Sequence, residues 1–96
     1  MPTRILIPTP LRPFTETLDA VELEGQTVGE LLRGLTTRYG GLKAHLYTAD
    51  GRLRSFVNVY VNDEDIRYLQ REDTPLKAGD VVSIIPSVAG GSGVEA

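Results

Sequence analysis

The fold is decided by the stretch Thr27-Val-Gly-Glu-Leu-Leu-Arg-Gly-Leu-Thr-Thr-Arg-Tyr39, because it carries the clearest helix signal in the chain. Thr27 and Glu30 have the spacing of a capping box, in which each side chain accepts a hydrogen bond from the other's backbone N–H. The pattern predicts a helix over residues 28–39, ended by Gly40-Gly41 through a positive φ. Apolar side chains fall on one face of this helix, at Val28, Leu31, Leu32, Leu35 and Tyr39.

Two strand patterns precede the helix. Ile5-Leu6-Ile7 is a short apolar run that stops at Pro8, and it predicts a strand over residues 3–8, since proline is tolerated at a strand end. Residues 18–24 alternate apolar with acidic side chains, which is typical of a half-buried strand. The loop at 9–17 is long for a hairpin and contains apolar side chains that we expect to pin it to the core.

Three further segments follow the helix. Residues 56–61, rich in β-branched and aromatic side chains, predict a strand whose valines face the helix. After a polar turn, residues 66–69 predict a short strand, and residues 81–85 predict the last one. The segment 42–47 is expected to be an irregular turn.

This order of elements predicts an α+β fold with the β-grasp, or ubiquitin-like, architecture. It consists of a mixed sheet of four to five strands with one main helix packed across one face. The first and last strands are central and parallel. A β-grasp domain then covers residues 1–89, and a flexible Gly-Gly tail covers residues 90–96.

Composition excludes several classes of function. The net charge of -3 gives no basic footprint for nucleic acid or anionic lipid, and the absence of cysteine excludes disulfides, thiolate nucleophiles and cysteine metal sites. There is no signal peptide pattern and no apolar run near the ~20 residues of a membrane span. We therefore expect a cytoplasmic protein.

Few side chains suggest chemistry. His45, the single histidine, has no companion ligand at metal spacing, and the carboxylates at 63–65 lack the glycine and distant glutamate of a calcium loop. No nucleophile–base pair, phosphate loop or cofactor motif is present. The sequence therefore predicts no enzyme, no catalytic residue and no metal site.

Three segments in this order resemble the small sulfur-carrier proteins, which include the small subunit of molybdopterin synthase and the thiamine-biosynthesis carrier. They are Phe56-Val-Asn-Val-Tyr-Val-Asn-Asp-Glu-Asp-Ile-Arg67, Leu76-Lys-Ala-Gly-Asp80 and Ile84-Ile-Pro-Ser-Val-Ala-Gly-Gly91. The closest resemblance is to the cysteine-biosynthesis sulfur carrier of actinobacteria, and it covers about residues 3–91.

The resemblance implies a chemistry that uses the main chain at Gly91. A ubiquitin-activating-like sulfurtransferase adenylates the Gly91 carboxylate with ATP and magnesium, and a sulfide or persulfide then displaces AMP to leave a thiocarboxylate. The tail residues Val88, Ala89 and Gly90 thread into the partner's site. A cysteine-synthase-like PLP enzyme receives the sulfur, while the carrier itself binds no cofactor.

Five residues follow Gly91 and block its carboxylate. The resemblance implies that Gly91–Ser92 is a processing site, at which a JAMM-type zinc peptidase removes residues 92–96.

A docking surface is predicted on the strand at 56–61, where Phe56, Asn58 and Tyr60 share the face opposite the valines. Burial of the two aromatic side chains under loops is the alternative. Three alternatives to a carrier for cysteine synthesis also remain. They are a sulfur donor for molybdopterin synthesis, a protein modifier joined to targets through Gly91, and an interaction module with a functionless tail.

Overall fold

The computed structural model describes residues 2–86 of the chain. Its strands are β1 (Thr3–Leu6), β2 (Ala20–Leu23), β3 (Val57–Val61), β4 (Glu64–Asp65) and β5 (Val81–Pro86). Its α-helices are α1 (Val28–Arg38) and α2 (Lys43–Leu46), and 3₁₀ helices span Thr9–Thr15, Gly40–Leu42, Ile66–Tyr68 and Arg71–Asp73. The predicted tail and processing residues, Val88, Ala89, Gly90, Gly91 and Ser92, lie outside the described residues.

The five strands form one mixed sheet in the order β2-β1-β5-β3-β4. β1 and β5 are parallel, and the remaining pairs are antiparallel. This arrangement confirms the predicted architecture, including the central position of the first and last strands. Because β5 has a neighbour on each side, the C-terminal tail begins at the middle of the sheet.

The N-terminus of α1 is capped by Thr27, whose Oγ1 accepts a hydrogen bond from the Glu30 N–H at 3.2 Å. The reciprocal half of the predicted capping box is shifted by one residue, since the Glu30 carboxylate accepts from the N–H of Gln26 at 3.0 Å. Two backbone N–H groups at the start of α1 are still satisfied by side chains. One belongs to Glu30 in the first turn, and the other to Gln26, just before the cap.

The end of α1 differs from the prediction. Tyr39 terminates the helix with φ −123° and ψ 81°, and Gly40 begins a 3₁₀ helix, so the prediction of a positive-φ glycine was wrong. Gly41 is in a different situation: a Cβ there would lie 3.0 Å from Cδ1 of Phe14, so the Phe14 ring would have to shift. The close approach of this ring, rather than a turn, favours glycine at this position.

The core lies between α1 and the covered face of the sheet. Leu31, Leu32 and Leu35 are fully buried, as predicted from the helical stripe. They belong to one apolar cluster with the β3 valines, at positions 57, 59 and 61, and with the inward side chains of β1 and β5. The predicted orientation of β3 is therefore confirmed.

Three connecting segments are more helical than predicted. The loop at 9–17 contains a 3₁₀ helix, whose Leu11 is buried in the core as expected, and the segment 42–47 contains α2. The short strand predicted at 66–69 is absent. Strand β4 instead covers only Glu64–Asp65, and the chain then turns away from β3. Ile66 is buried in the core, so its side chain is accommodated by the turn rather than by a continued strand.

Candidate functional site

The end of β5, at Pro86, is the last described position before the predicted tail. Asn62 donates its N–H to the Val81 carbonyl at 2.7 Å, which makes these two residues a hydrogen-bonded pair. Pairs alternate along an antiparallel ladder, so Pro86 and Val57 occupy a non-hydrogen-bonded pair. Pro86 therefore ends β5 without removing a bond that β3 requires.

The face of the sheet opposite α1 carries a mixed apolar and polar surface, which we call the open face. The register of the strands places five of its side chains in two adjacent rows, since Asn58 faces Ile85 and Ser83 faces both Tyr60 and Leu6. Ile85 is 49% exposed and Leu6 37%. Asn58, Tyr60 and Ser83 are half-buried. Exposed aliphatic groups on and next to β5 provide area that a second protein can bury.

Arg67 crosses from the turn after β4 to the open face. Its guanidinium donates through Nη2 to Oδ2 of Asp65 at 2.8 Å and also to Oδ1 of Asn58. Its backbone N–H donates to Oδ1 of Asp65 at 2.9 Å. Asp65, which is only 8% exposed, thereby links the turn to the middle of the sheet.

These contacts stabilise the charged forms of Asp65 and Arg67. The hydrogen bond from the Arg67 side chain, together with that from the Arg67 backbone N–H, holds the pKa of the Asp65 carboxyl below its ordinary value. The same side-chain bond, reinforced by charge attraction, raises the pKa of Arg67. One side of the open face therefore carries a fixed cation next to Asn58 and Tyr60.

The predicted docking residues are only partly brought together. Asn58 and Tyr60 lie on the open face. Phe56 is 44% exposed but precedes β3, next to Val57 at the exit of the tail. The alternative of burial under loops does not hold for Phe56 and holds only in part for Tyr60, which is half-buried. His45 lies elsewhere, with its ring 4.4 Å from that of Phe14.

Three features of this surface were missed in the sequence. The alternation of β5, in which Ile84 is buried, already implies that Ile85 points to the open face. Leu6 could be placed only once the register between β1 and β5 was known. The Arg67 contacts are signalled only weakly in the sequence, by the Asp65-Ile-Arg67 spacing. The turn at these residues brings the two charged side chains together as an ion pair.

The open face is suited to recognition. Aliphatic groups, a tyrosine and one fixed guanidinium can bind another protein surface. Within residues 2–86 there is no group of histidine, aspartate and glutamate side chains arranged to hold a metal ion. None of the helices in that range is long and apolar enough to cross a membrane.

A comparison with protein families matches residues 5–91 to the model of the ThiS family. The match ends at Gly91, so residues 92–96 lie beyond it.

Similar proteins and structures agree with this match. The sulfur carrier protein CysO of Mycobacterium tuberculosis is 41% identical, over 95% of this chain and 100% of its own length. Small archaeal modifier protein 3 of Haloferax volcanii is 43% identical, over 68% of this chain and 70% of its own. A chain in the crystal structure of the Amycolatopsis orientalis BexX/CysO complex superposes with a TM-score of 0.84 at 42% identity, covering 93% of this chain and 99% of that one.

Proposed function

The chain belongs to the ThiS family, and on this basis we propose that it carries sulfur as a thiocarboxylate on Gly91, for the synthesis of cysteine. It is a homologue of sulfur carriers with a ubiquitin-like β-grasp fold. The observation that carries the proposal is the 41% identity to CysO over the whole of that protein. A family match that stops at Gly91 supports this residue as the reactive terminus.

The proposed reaction uses only the carboxylate of Gly91 on the carrier. An adenylating partner binds ATP and magnesium, the carboxylate attacks the α-phosphorus, and pyrophosphate leaves. Sulfide then attacks the carbonyl carbon, the bond to AMP breaks, and a thiocarboxylate remains. Because the sulfur is held by the main chain, a chain without cysteine can carry it.

The role proposed for the domain is to deliver the tail. The open face and Phe56 lie beside the strand that ends at Pro86, so a partner that docks there has the tail next to its contact surface. Glycine at the end of the tail fits a narrow channel because it lacks Cβ. Ordering each tail residue costs ~1–2 kcal/mol of backbone entropy, which docking of the domain must offset.

Two further partners belong to the proposal. A cysteine-synthase-like PLP enzyme uses the carried sulfur and leaves a newly made cysteine joined to the Gly91 carbonyl. A JAMM-type zinc peptidase hydrolyses that bond, and the same peptidase removes residues 92–96 beforehand. Both cleavages take place after the same Ala89-Gly-Gly91 segment, and we place them in the cytoplasm.

The test compares the full chain with a version that ends at Gly91. Each is incubated with ATP, magnesium, the adenylating partner and sulfide, and its intact mass is measured. We expect only the shortened chain to gain the mass of one sulfur-for-oxygen exchange, since Gly91 of the full chain has no free carboxylate.

A version that ends at Gly90 is the matched control, because it has a free carboxylate one residue too early. Tandem mass spectrometry locates the exchanged atom in any product. Equal sulfur incorporation into the full chain, or into the version ending at Gly90, would refute the assignment of Gly91.

A second candidate function is a protein modifier joined to lysines through Gly91. It is favoured by the 43% identity to small archaeal modifier protein 3. The two candidates predict different fates for the same activated terminus. Chains recovered from cells as isopeptide conjugates on target lysines would support the modifier, whereas free chains bearing a thiocarboxylate or a terminal cysteine would support the carrier.

A further inference from the structure

A charged groove lies along the outer edge of β3, on the opposite side of this strand from β5. Its volume is about 420 Å³. The groove is bounded by the loop 52–55 on one side and by the turns after β4 on the other, and β3 contributes Val57 and Val59. It is separate from the open face, although Arg67 borders both.

The groove lies where a longer β4 would pair with the first half of β3. β4 pairs with β3 only at Tyr60 and Val61, and the chain enters a 3₁₀ helix at Ile66. The Ile66 carbonyl then accepts from the N–H of Leu69 at 3.0 Å, which completes the turn. Within residues 2–86, no strand therefore runs beside the first half of β3 on this edge.

Backbone groups of β3 face this groove. Hydrogen-bonded and non-hydrogen-bonded pairs alternate along β3 and β5, starting from the bonded pair Asn62–Val81. Val57 and Val59 fall at non-hydrogen-bonded positions, so their N–H and C=O groups point away from β5. The Val57 N–H donates to the Arg54 carbonyl at 3.0 Å. The Val57 C=O and the Val59 N–H remain directed at the groove, two residues apart. One residue of an added parallel strand can donate to the first and accept from the second.

The side chains around the groove are mainly basic. Four arginines and two carboxylates line it, an excess of two positive charges in a chain whose net charge is -3. The Arg67 charge is paired with Asp65 at 2.8 Å. Arg52 makes only a long contact of 3.8 Å with Asp50, between strongly exposed side chains, which contributes little.

Arg71 contributes a further cation to the groove. Its backbone has φ 54°, a left-handed conformation that is costly for a residue with a Cβ. No ion pair or hydrogen bond of its guanidinium is found within residues 2–86. Among the described residues, the Arg71 charge therefore has no ion-pair partner and is available to a carboxylate in the groove.

We propose that this groove binds an extended acidic segment of a partner protein, which adds to the sheet as a strand beside β3. Backbone bonds at Val57 and Val59 give the pairing, and the cations of Arg52 and Arg71 select carboxylates. The groove lies on the edge of β3 opposite β5 and takes no part in the proposed sulfur transfer, so this inference goes beyond that function. It provides a way to recognise the carrier whether or not Gly91 is loaded.

The test is an NMR titration of the full ¹⁵N-labelled chain with the synthetic peptide Glu-Val-Glu-Val-Glu-Val. We expect saturable shifts at Arg52, Val59 and Arg71, and slower hydrogen exchange at the Val59 N–H. Two control peptides separate charge from backbone pairing. The lysine version, Lys-Val-Lys-Val-Lys-Val, should not bind, and the acidic peptide with N-methylated valines should bind about tenfold more weakly.

Variants of the chain locate the site. Arg71→Glu and Arg52→Glu should each weaken binding of the acidic peptide about tenfold, and Arg71→Lys much less. Lys77→Glu is the control, since it makes the same change in net charge on an exposed turn before the other end of β5. Two arginine variants are used so that a folding defect in one does not decide the result.

Three outcomes would overturn the proposal. They are an absence of saturable binding by the acidic peptide, equal binding of the acidic and lysine peptides, and shifts confined to the open face while Val59 is unchanged. None of these depends on Gly91, so the groove can fail while sulfur transfer stands, and the reverse.

Discussion

The two faces of the sheet are built from the same strands but follow different rules. On the face covered by α1, Val57, Val59 and Val61 of β3 are at most 7% exposed. On the open face the neighbouring residues of the same strand, Asn58 and Tyr60, are half-buried and surrounded by exposed aliphatic groups. Alternation along one strand thus separates the residues that stabilise the domain from those available to a partner.

This difference predicts which substitutions should lower stability and which should weaken binding. A side chain on the covered face contacts the core cluster, so its loss leaves a cavity and lowers stability. A side chain on the open face has few such contacts to lose, so its replacement should change binding and leave the fold intact. Each of the following predictions tests one side of that division.

The largest effect is expected for Leu35→Ala on the covered face. Leu35 is fully buried, and its truncation should lower the free energy of unfolding by about 3 kcal/mol. Urea unfolding followed by circular dichroism measures this change. Ile85→Ala, on the open face, should cost less than about 1 kcal/mol, because Ile85 is 49% exposed. Similar losses in the two variants would remove the distinction between the faces.

The next effect concerns binding. Tyr60→Glu should weaken binding of the adenylating partner about tenfold, or about 1.4 kcal/mol, because it places a charge within the open face. Isothermal titration calorimetry measures the affinity, and thermal unfolding reports on the fold. Tyr68→Glu is the matched control, since Tyr68 is 88% exposed and lies in the 3₁₀ helix after β4. An equal loss in both variants would place the docking surface elsewhere.

A smaller effect, of opposite sign, is expected inside α1. A Cβ on Gly34 would meet no atom within 4 Å, so Gly34→Ala should raise the free energy of unfolding by about 0.5–1 kcal/mol. Gly29→Ala is the control, since its Cβ would lie 3.1 Å from the backbone and side chain of Glu72. Denaturant midpoints measure both variants. A gain for Gly29→Ala as large as that for Gly34→Ala would contradict the described packing.

The smallest effect is the acid sensitivity of Asp65. Hydrogen bonds from the Arg67 side chain and backbone lower the pKa of its carboxyl in the folded state. The stabilisation is therefore complete above the ordinary value of 3.8 and is lost as the pH falls through the lower folded value. It is small because the Arg67 side chain is 48% exposed.

Melting temperatures between pH 5 and about pH 2 test this. Asp65→Asn should reduce the fall in melting temperature at low pH, while the part of that fall that is due to Asp80 persists. The Asp80 carboxyl also has a lowered pKa, caused by the Lys77 backbone N–H and the Asn62 amide. Identical pH profiles for the variant and the parent chain would rule out the Asp65 contribution.

The sequence was sufficient for the covered face. Thr27, the helical stripe and the β-branched residues of β3 carry local signals whose period matches the element that forms. The turn at Ile66 had no such signal. A short apolar segment there fits a strand, and only tertiary packing, which buries Ile66 while the backbone turns, decides otherwise.

The candidate site could be predicted only in part. The alternation of side chains along β3 placed Asn58 and Tyr60 correctly, because this alternation depends on one strand alone. Leu6 depends on the register between strands distant in sequence, and the contact of Arg67 with Asn58 depends on where β4 ends. The assignment of Gly91 rests on resemblance and family, since no physical pattern in a glycine pair distinguishes a reactive terminus from a linker.

The central position of β5 also has a mechanical consequence. A partner that pulled on the chain beyond Pro86 would load β5, whose backbone is bonded on both sides, to β1 and to β3. Both ladders run across the direction of such a pull, so their bonds are strained together and not one after another. A tail attached to β4, which pairs at only two positions, would peel away under much less tension. The described domain is therefore built to resist unfolding when it is pulled at Pro86.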